Sequence, residues 1–143
     1  MYEFIEKVKE EYLISDEDIR NIEDTLKIKF PVVLRDYYLH YNGAEIKEIV
    51  FYTDDFEHEV SCVLPLKHRN DCIERMIEID RKNGYIPDNM IPIASDDGGD
   101  LFYWDTLTEN VYAYYDDNIE NPIYICSGIK AFFDIMNENI YEE

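Results

Sequence analysis

Apolar residues recur at helical spacing along the first third of the chain, and this pattern predicts three helices. The first is a short amphipathic helix over residues 2–12. The second begins after Ser15, which can cap a helix, and the acids that follow suit the positive end of the helix dipole. It ends near Lys27 or Lys29. The apolar positions of these two helices are Phe4, Ile5, Val8 and Tyr12, then Ile19, Ile22 and Leu26.

The third helix follows at once. Pro31 suits the first turn of a helix and disfavours helical geometry in the residue before it, so it separates the second helix from the third. Asn42-Gly43 is typical of a helix end, because glycine adopts the left-handed conformation found there. The apolar positions between these two signals are Leu34, Tyr37, Tyr38 and Tyr41.

Beyond this helix the pattern changes to that of strands. Residues 49–52 and 60–64 predict two strands on either side of an acidic loop over residues 53–59. A fourth helix, capped by Asn70 or Asp71, is then predicted. Its course is marked by Ile73, Met76 and Ile77, and its end by Asn83-Gly84.

Residues 91–105 are the most informative stretch. An apolar run enters a loop of acids and glycines, and an aromatic run leaves it. Gly98-Gly99 can take positive φ with little strain, which allows a sharp turn between two strands. We therefore predict a hairpin that displays its acids at the tip, namely Asp96, Asp97 and Asp100.

The end of the chain predicts two more strands and a helix. Residues 111–115 alternate as a strand, and residues 122–126 form a short edge strand. Ser127 is predicted to cap the last helix. The core face of that helix comprises Phe132, Phe133, Ile135 and Met136.

This order of elements predicts an α+β fold. Connections around the strands are short, which favours antiparallel pairing, and the helices are expected to pack against one side of a twisted sheet. At 143 residues, with no internal repeat or linker, the chain is expected to form a single domain over residues 1–143.

The net charge restricts the possible partners. The chain has 33 acidic residues against 13 basic ones, a formal charge of −20. Charge of this sign repels phosphate backbones and anionic membrane surfaces and attracts basic proteins. No apolar stretch approaches the ~20 residues that span a bilayer. We therefore expect neither nucleic acid nor a membrane as a partner.

The cysteine count and the amino-terminal residues bear on the compartment. Three cysteines in no paired spacing argue against a disulfide framework and favour a reducing environment. The first residues lack the basic segment and apolar run of a secretory signal. The expected location is cytoplasmic.

The negative charge is distributed unevenly. Residues 48–66 and 83–129 contain no lysine or arginine, yet they hold most of the acids outside the helices. Such acids can be a solvated surface that keeps the protein soluble, or a docking surface for a basic protein. We favour docking. The candidate contact residues are Asp54, Asp55, Asp96, Asp97, Asp100, Asp116 and Asp117.

Chemical sites were weighed against this interpretation and set aside. The loop that begins at Asp96 departs from the EF-hand pattern, with Gly98, Leu101 and Leu107 at three ligand or turn positions. No closely spaced cysteines and histidines suggest zinc. The histidines are scattered and no nucleophile motif is present. We expect no catalytic residue, no metal and no cofactor.

Three segments together resemble the SUKH superfamily, also called the Smi/Knr-like domain. The first runs from Phe30-Pro31 to Asn42-Gly43. The second is residues 93–103, with the glycine-rich loop followed by aspartate and an apolar strand. The third combines Val111-Tyr112 with Phe132-Phe133, and the resemblance extends over residues 16–136. The chain departs from the family pattern at Leu26-Lys27, where Leu-Gly is frequent, and at Trp104, where the residue is usually aliphatic.

The resemblance implies an α+β domain without enzymatic activity. Many bacterial members are similar to immunity proteins, which bind and neutralise a toxin, often a nuclease. The expected function is therefore stoichiometric occlusion of a basic toxin by an acidic surface. Two alternatives stay open: a regulatory interaction module of the Smi/Knr type with a non-toxin partner, and a small hydrolase or ligand-binding domain.

Overall fold

The computed structural model describes residues 2–142, which form nine strands and four α-helices. The helices are α1 (Asp16–Leu26), α2 (Val32–Tyr41), α3 (Ile73–Asn83) and α4 (Ile129–Glu138). The strands are β1 (Ile5–Lys7), β2 (Glu45–Ile46), β3 (Ile49–Thr53), β4 (Phe56–Val60), β5 (Cys62–Val63), β6 (Met90–Ser95), β7 (Leu101–Asp105), β8 (Asn110–Tyr114) and β9 (Ile123–Ser127).

The strands form one main sheet and two small ones. The main sheet has five strands in the order β5-β6-β7-β8-β9, and β1-β2 and β3-β4 each form a two-stranded sheet. Every pairing is antiparallel. The predicted α+β fold is confirmed, with β9 at the edge of the main sheet as expected.

The core lies between the main sheet and helices α2 and α4. Phe102 of β7 meets Phe132 of α4 with ring centroids 5.5 Å apart. Tyr37 of α2 lies 5.1 Å from Phe133 of α4. Burying aromatic rings in this way stabilises the fold through the hydrophobic effect, at about 25 cal/mol per Å² removed from water. The core therefore holds one face of the sheet against two helices.

The sequence predicted helices on one side of the sheet, but helix α3 lies against the opposite face. Phe102 and Tyr103 are neighbours in β7, so their side chains point to opposite faces. The hydroxyl of Tyr103 donates to Asp80 Oδ2 on α3 at 2.7 Å. Ile86 joins Tyr103 and Tyr114 in a small apolar cluster on this second face.

The predicted ends of the first two helices after residue 12 are confirmed. Ser15 Oγ accepts from the Asp18 amide at 3.1 Å, and Asp18 Oδ2 accepts from the Ser15 amide at 3.0 Å. This reciprocal pair is a capping box, which satisfies two amides at the start of α1. Helix α2 begins directly after Pro31 and ends at Asn42. Both boundaries follow from local sequence signals.

The predicted helix over residues 2–12 is wrong. The segment is extended, and Ile5 pairs with Ile46 of β2. The amides of Glu3 and Phe4 donate to Asn137 Oδ1 of α4 at 2.9 and 3.3 Å. A helix this short is marginal by itself, so tertiary contacts outweigh its apolar spacing. The only helical turn in the segment is a 3-10 turn at Glu10–Tyr12.

The predicted acidic loop over residues 53–59 is also wrong. Strand β3 extends to Thr53, β4 resumes at Phe56, and only Asp54 and Asp55 form the turn between them. Asp54 has φ 49°, the left-handed conformation that such turns use. The predicted strand over residues 60–64 is divided, because Val60 ends β4 and residues 62–63 form β5 in the main sheet.

Two predicted helix caps are wrong as well. Helix α3 follows Cys72, which makes no side-chain cap hydrogen bond, and Asp71 is instead paired with Arg69. Ser127 lies in β9 opposite Asn110, and α4 follows Gly128 without a side-chain cap. The side chain of Asp71 pairs with the nearby Arg69, and the backbone of Ser127 pairs with β8. These contacts replace the predicted caps.

A helix needs about 20 predominantly apolar residues to span a lipid bilayer. Among residues 2–142, none of the helices has the length and apolar character needed to cross one.

Candidate functional site: an acidic face

The β6–β7 loop carries three of the predicted contact residues and is held in a defined shape. Asp96 Oδ1 accepts from the Asp100 amide at 2.9 Å, and the Asp96 amide donates to the Asp100 carbonyl at 3.0 Å. Gly99 has φ 89°, as the tight turn requires. The predicted hairpin is therefore confirmed, and the Asp96 carboxylate is held against the Asp100 amide.

The segment after β8 adds two more of the predicted residues to this loop. The Asp116 amide donates to Asp100 Oδ1 at 3.1 Å. Partial burial raises the pKa of Asp100, and the negative charges of Asp96, Asp116 and Asp117 raise it further. Four of the predicted acids, Asp96, Asp100, Asp116 and Asp117, therefore lie close enough to influence one another.

Asp54 and Asp55 stand apart from this group. They are exposed at the tip of the β3–β4 hairpin. Within residues 2–142, no hydrogen bond or salt bridge links them to the other predicted acids. Their place in a shared interface stays a prediction.

The structure adds glutamates from the β3–β4 hairpin that the sequence did not single out. Val50 is paired with Glu59 and Tyr52 with Glu57, so all four side chains point to one face, while Phe51 and His58 point inwards. The Asp97 amide donates to Glu59 Oε1 at 3.3 Å, which joins the hairpin to the β6–β7 loop. Strand alternation would have indicated these glutamates had the segment not been taken for a loop.

We call the combined surface the acidic face. Carboxylate oxygens of Glu48, Glu59 and Asp97 lie within 4.8 Å of one another, close enough to hold a cation. A cavity of about 520 Å³ lies beside them. The acidic face comprises Glu48, Glu57, Glu59, Asp96, Asp97, Asp100, Asp116 and Asp117.

The salt bridges of the described residues involve acids other than those of the β6–β7 loop. In the described part of the chain, salt bridges use Lys9, Arg20, Arg35, Lys67, Arg69 and Lys130, and their acidic partners do not include the acids of the β6–β7 loop or of the turn after β8. Carboxylates at close range repel one another. The acidic face would therefore gain electrostatically from contact with a basic partner.

Tyrosines border the carboxylates and make the surface amphipathic. Tyr52 is 66% exposed, and its hydroxyl donates to Glu57 Oε1 at 2.9 Å. This hydrogen bond raises the pKa of Tyr52. Tyr115 and Tyr141 line the same cavity, and burial raises the pKa of Tyr115 to about 12. Tyrosine is enriched in protein interfaces because it combines apolar area with a polar tip.

His58 anchors the hairpin beneath the acidic face. Its ring is 1% exposed and is hydrogen-bonded to the hydroxyls of Thr53 and Tyr115 through its two nitrogens. It also stacks on Tyr115, with ring centroids 5.8 Å apart. Burial lowers the pKa of His58 below its ordinary value of 6.5. The neutral imidazole is therefore the form that links the hairpin to the main sheet.

This burial predicts that stability falls on mild acidification. As the pH falls through 6.5, the unfolded chain takes up a proton that the folded protein does not, so the free energy of unfolding decreases toward the folded-state pKa. One proton gives a slope of at most about 1.4 kcal/mol per pH unit. Urea denaturation between about pH 7.5 and about pH 5.5 measures the slope.

The control separates His58 from the exposed histidines. His58→Phe should flatten the slope whatever its effect on stability at neutral pH, whereas His40→Gln should leave the slope unchanged. Equal slopes in wild type and His58→Phe would show that His58 is not the group responsible.

Comparison with known proteins was made at the level of families and of individual proteins. Residues 13–135 match the model of the SMI1 / KNR4 family (SUKH-1). No curated protein matches the chain. The family match covers most of the chain and includes the Phe30–Gly43 segment, the β6–β7 hairpin and the Phe132-Phe133 pair of α4, from which the SUKH resemblance was predicted. The chain belongs to the SMI1/KNR4 family (SUKH-1).

Proposed function

We propose that this protein is an immunity-type binding protein that neutralises a basic toxin by covering the toxin's functional surface with its acidic face. Family membership is consistent with an immunity-type domain. The observation that carries the proposal is the acidic face itself, a set of carboxylates drawn from two hairpins and one turn. The proposal assigns the protein no reaction of its own and places it in the cytoplasm.

Charge complementarity explains why such a surface suits a toxin that acts on nucleic acid. A nuclease needs a basic face to bind its substrate, because the phosphate backbone dominates affinity. An acidic protein can bind that face and exclude the substrate. Complementary charge also accelerates encounter between the two proteins. The proposed mechanism is therefore stoichiometric occlusion.

Neutralising the β6–β7 loop tests the proposal. In the variant Asp96→Asn/Asp97→Asn/Asp100→Asn, the side-chain amide oxygens can accept the same loop hydrogen bonds as the carboxylate oxygens they replace, so the fold should persist. We expect it to weaken binding of the basic partner about ten- to a hundredfold, because charged contacts across the interface are lost. The candidate partner is the product of the adjacent gene, and titration calorimetry measures the affinity.

A matched control separates this loop from general charge. Glu6→Gln/Glu10→Gln/Glu11→Gln removes the same charge from exposed residues far along the chain from the loop. It should alter affinity much less, and it should leave neutralisation of the toxin intact when both proteins are expressed together. Equal effects from the two variants would remove the loop from the interface. A separate Asp54→Asn/Asp55→Asn variant decides whether the hairpin tip takes part.

A further inference from the structure

A second cavity lies on the face of the main sheet opposite the core. Its volume is about 520 Å³. Its walls come from the carboxyl-terminal half of α3, the loop that follows it, the end of the β6–β7 loop, strands β7 and β8, and the turn after β8. The residues that matter for its chemistry are Asp80, Tyr85, Asp100, Tyr103, Tyr114 and Asp116.

The inner wall of this cavity is aromatic and fixed. The rings of Tyr103 and Tyr114 meet edge to face with centroids 4.9 Å apart. Both tyrosines are buried and pack with Ile86 in the small apolar cluster on this side of the sheet. Tyr85 lines the cavity from the loop after α3 and is 73% exposed. The cavity therefore has packed aromatic residues beneath it and an exposed tyrosine ring at its edge.

Three carboxylates complete the lining without a compensating base. Asp80 Oδ2 accepts from the Tyr103 hydroxyl at 2.7 Å, and burial raises the pKa of Asp80. Asp100 and Asp116 lie on the other side and are linked through the Asp116 amide. None of the three forms a salt bridge within the described residues, and no lining residue is lysine, arginine or histidine.

These features select the chemistry of the occupant. An anion would be repelled, and a neutral apolar group would bury the carboxylates without a partner. A bare metal ion needs several ligand atoms close together, and in residues 2–142 such a group occurs at Glu48, Glu59 and Asp97 rather than here. A planar guanidinium stacks on tyrosine faces and pairs with carboxylates through several N–H donors, which an ammonium does less well.

We propose that this cavity binds an arginine side chain supplied by the basic partner. The inference rests on the proposed function for the source of the arginine, since Asp100 and Asp116 belong to both the cavity and the acidic face. The guanidinium stacks on the exposed ring of Tyr85 and forms charge-assisted hydrogen bonds with Asp80 and Asp116. An arginine held in this way is the kind of desolvated anchor that dominates binding energy at interfaces.

The first test uses peptides and no partner. A capped Ala-Arg-Ala peptide and its Ala-citrulline-Ala counterpart have nearly the same shape, but only the first has a positive charge. Titrated into the ¹⁵N-labelled protein at constant ionic strength, the arginine peptide should shift the amide resonances of Asp80, Tyr103, Tyr114 and Asp116. The citrulline peptide should shift them much less. Equal shifts from both peptides would overturn the proposal.

Matched variants distinguish the cavity from the negative charge around it. Asp80→Asn/Asp116→Asn keeps the acceptor for Tyr103 and should weaken the arginine peptide about tenfold, as expected for loss of charge-assisted hydrogen bonds. Asp88→Asn/Glu120→Gln removes the same charge from exposed acids of the same lysine-free segment that neither line the cavity nor belong to the acidic face. Equal affinities for the two variants would overturn the site.

The outcomes of these tests distinguish a failure of the arginine site from a failure of the proposed function. If the peptide fails to bind but the Asp96/Asp97/Asp100 variant still loses the partner, the arginine site is wrong and the immunity proposal stands. If the peptide binds as described but partner binding is unaffected by both the Asp96/Asp97/Asp100 variant and the Asp80/Asp116 variant, the arginine site stands and the proposed function is wrong.

Discussion

Replacing Asn42 by alanine is expected to lower the free energy of unfolding by about 3–4 kcal/mol, because it leaves buried backbone groups without partners. Asn42 is fully buried. Its Nδ2 donates to the carbonyls of Tyr12 and Leu66 at 2.7 and 2.9 Å, and its Oδ1 accepts from the Leu66 amide at 2.8 Å. One side chain thus connects the amino-terminal segment, the end of α2 and the segment before α3.

Asn83 provides the matched control for this prediction. It also precedes a glycine at the end of a helix, but it is exposed. Asn83→Ala should change the free energy of unfolding by less than about 0.5 kcal/mol. Urea denaturation of the two variants measures both values. Equal stabilities of the two variants would show that the hydrogen bonds of Asn42 stabilise the folded protein no more than hydrogen bonds to water do.

The two Asn-Gly pairs show which features the sequence could predict. Both were predicted to end helices, and both do, because the left-handed conformation of glycine is a local property. The burial of Asn42 could not be predicted in the same way. It depends on residues 12 and 66, which are distant in sequence and come together only in the folded chain.

The errors in the predicted elements have the same origin. The segment over residues 2–12 has helical spacing, but Phe4 is buried against Tyr37 of α2 and Phe133 of α4, whereas Val8 is exposed. These long-range contacts favour an extended backbone. Propensity over so few residues is a weak prior that tertiary context overrides.

The acidic face was predicted in part, and His58 explains what was missed. The β6–β7 loop was predicted from its acids and glycines between two apolar runs, and the acids after β8 were predicted from the absence of lysine and arginine around them. The alternation of β4 was missed because His58 is polar yet buried, so the strand looked like a hydrophilic loop. Recognising His58 as an inward residue places Glu57 and Glu59 outward.

The hairpins that carry the acidic face must also withstand the repulsion between its carboxylates. Carboxylates that lie close together repel one another and destabilise the folded protein, so the hairpin and loop that carry them must be held firmly in place. The β3–β4 hairpin is tied to the main sheet by His58 through Tyr115, and the β6–β7 loop is tied by Asp96 to Asp100. Such fixed geometry lowers the entropy lost on binding and favours a specific partner.

The remaining prediction concerns Gly43 and its contact with Tyr12. Gly43 has φ 74°, and a Cβ added there would lie 2.6 Å from Tyr12 Cβ, closer than packed atoms allow. Gly84 has nearly the same φ, 78°, but a Cβ there would meet nothing within 4 Å. The two glycines therefore share the conformational requirement and differ in the space available.

Gly43→Ala should be the more damaging change of the two. Left-handed geometry costs an alanine about 1–2 kcal/mol at either position. At Gly43 the clash with Tyr12 adds about 1–3 kcal/mol, since the amino-terminal segment must move away from the end of α2. Any gain from a stiffer unfolded chain is the same for both variants and cancels in the comparison. Urea denaturation of Gly43→Ala and Gly84→Ala gives the difference directly, and equal stabilities would mean that Tyr12 moves away without cost and that its packing contributes little to holding the amino-terminal segment on α2.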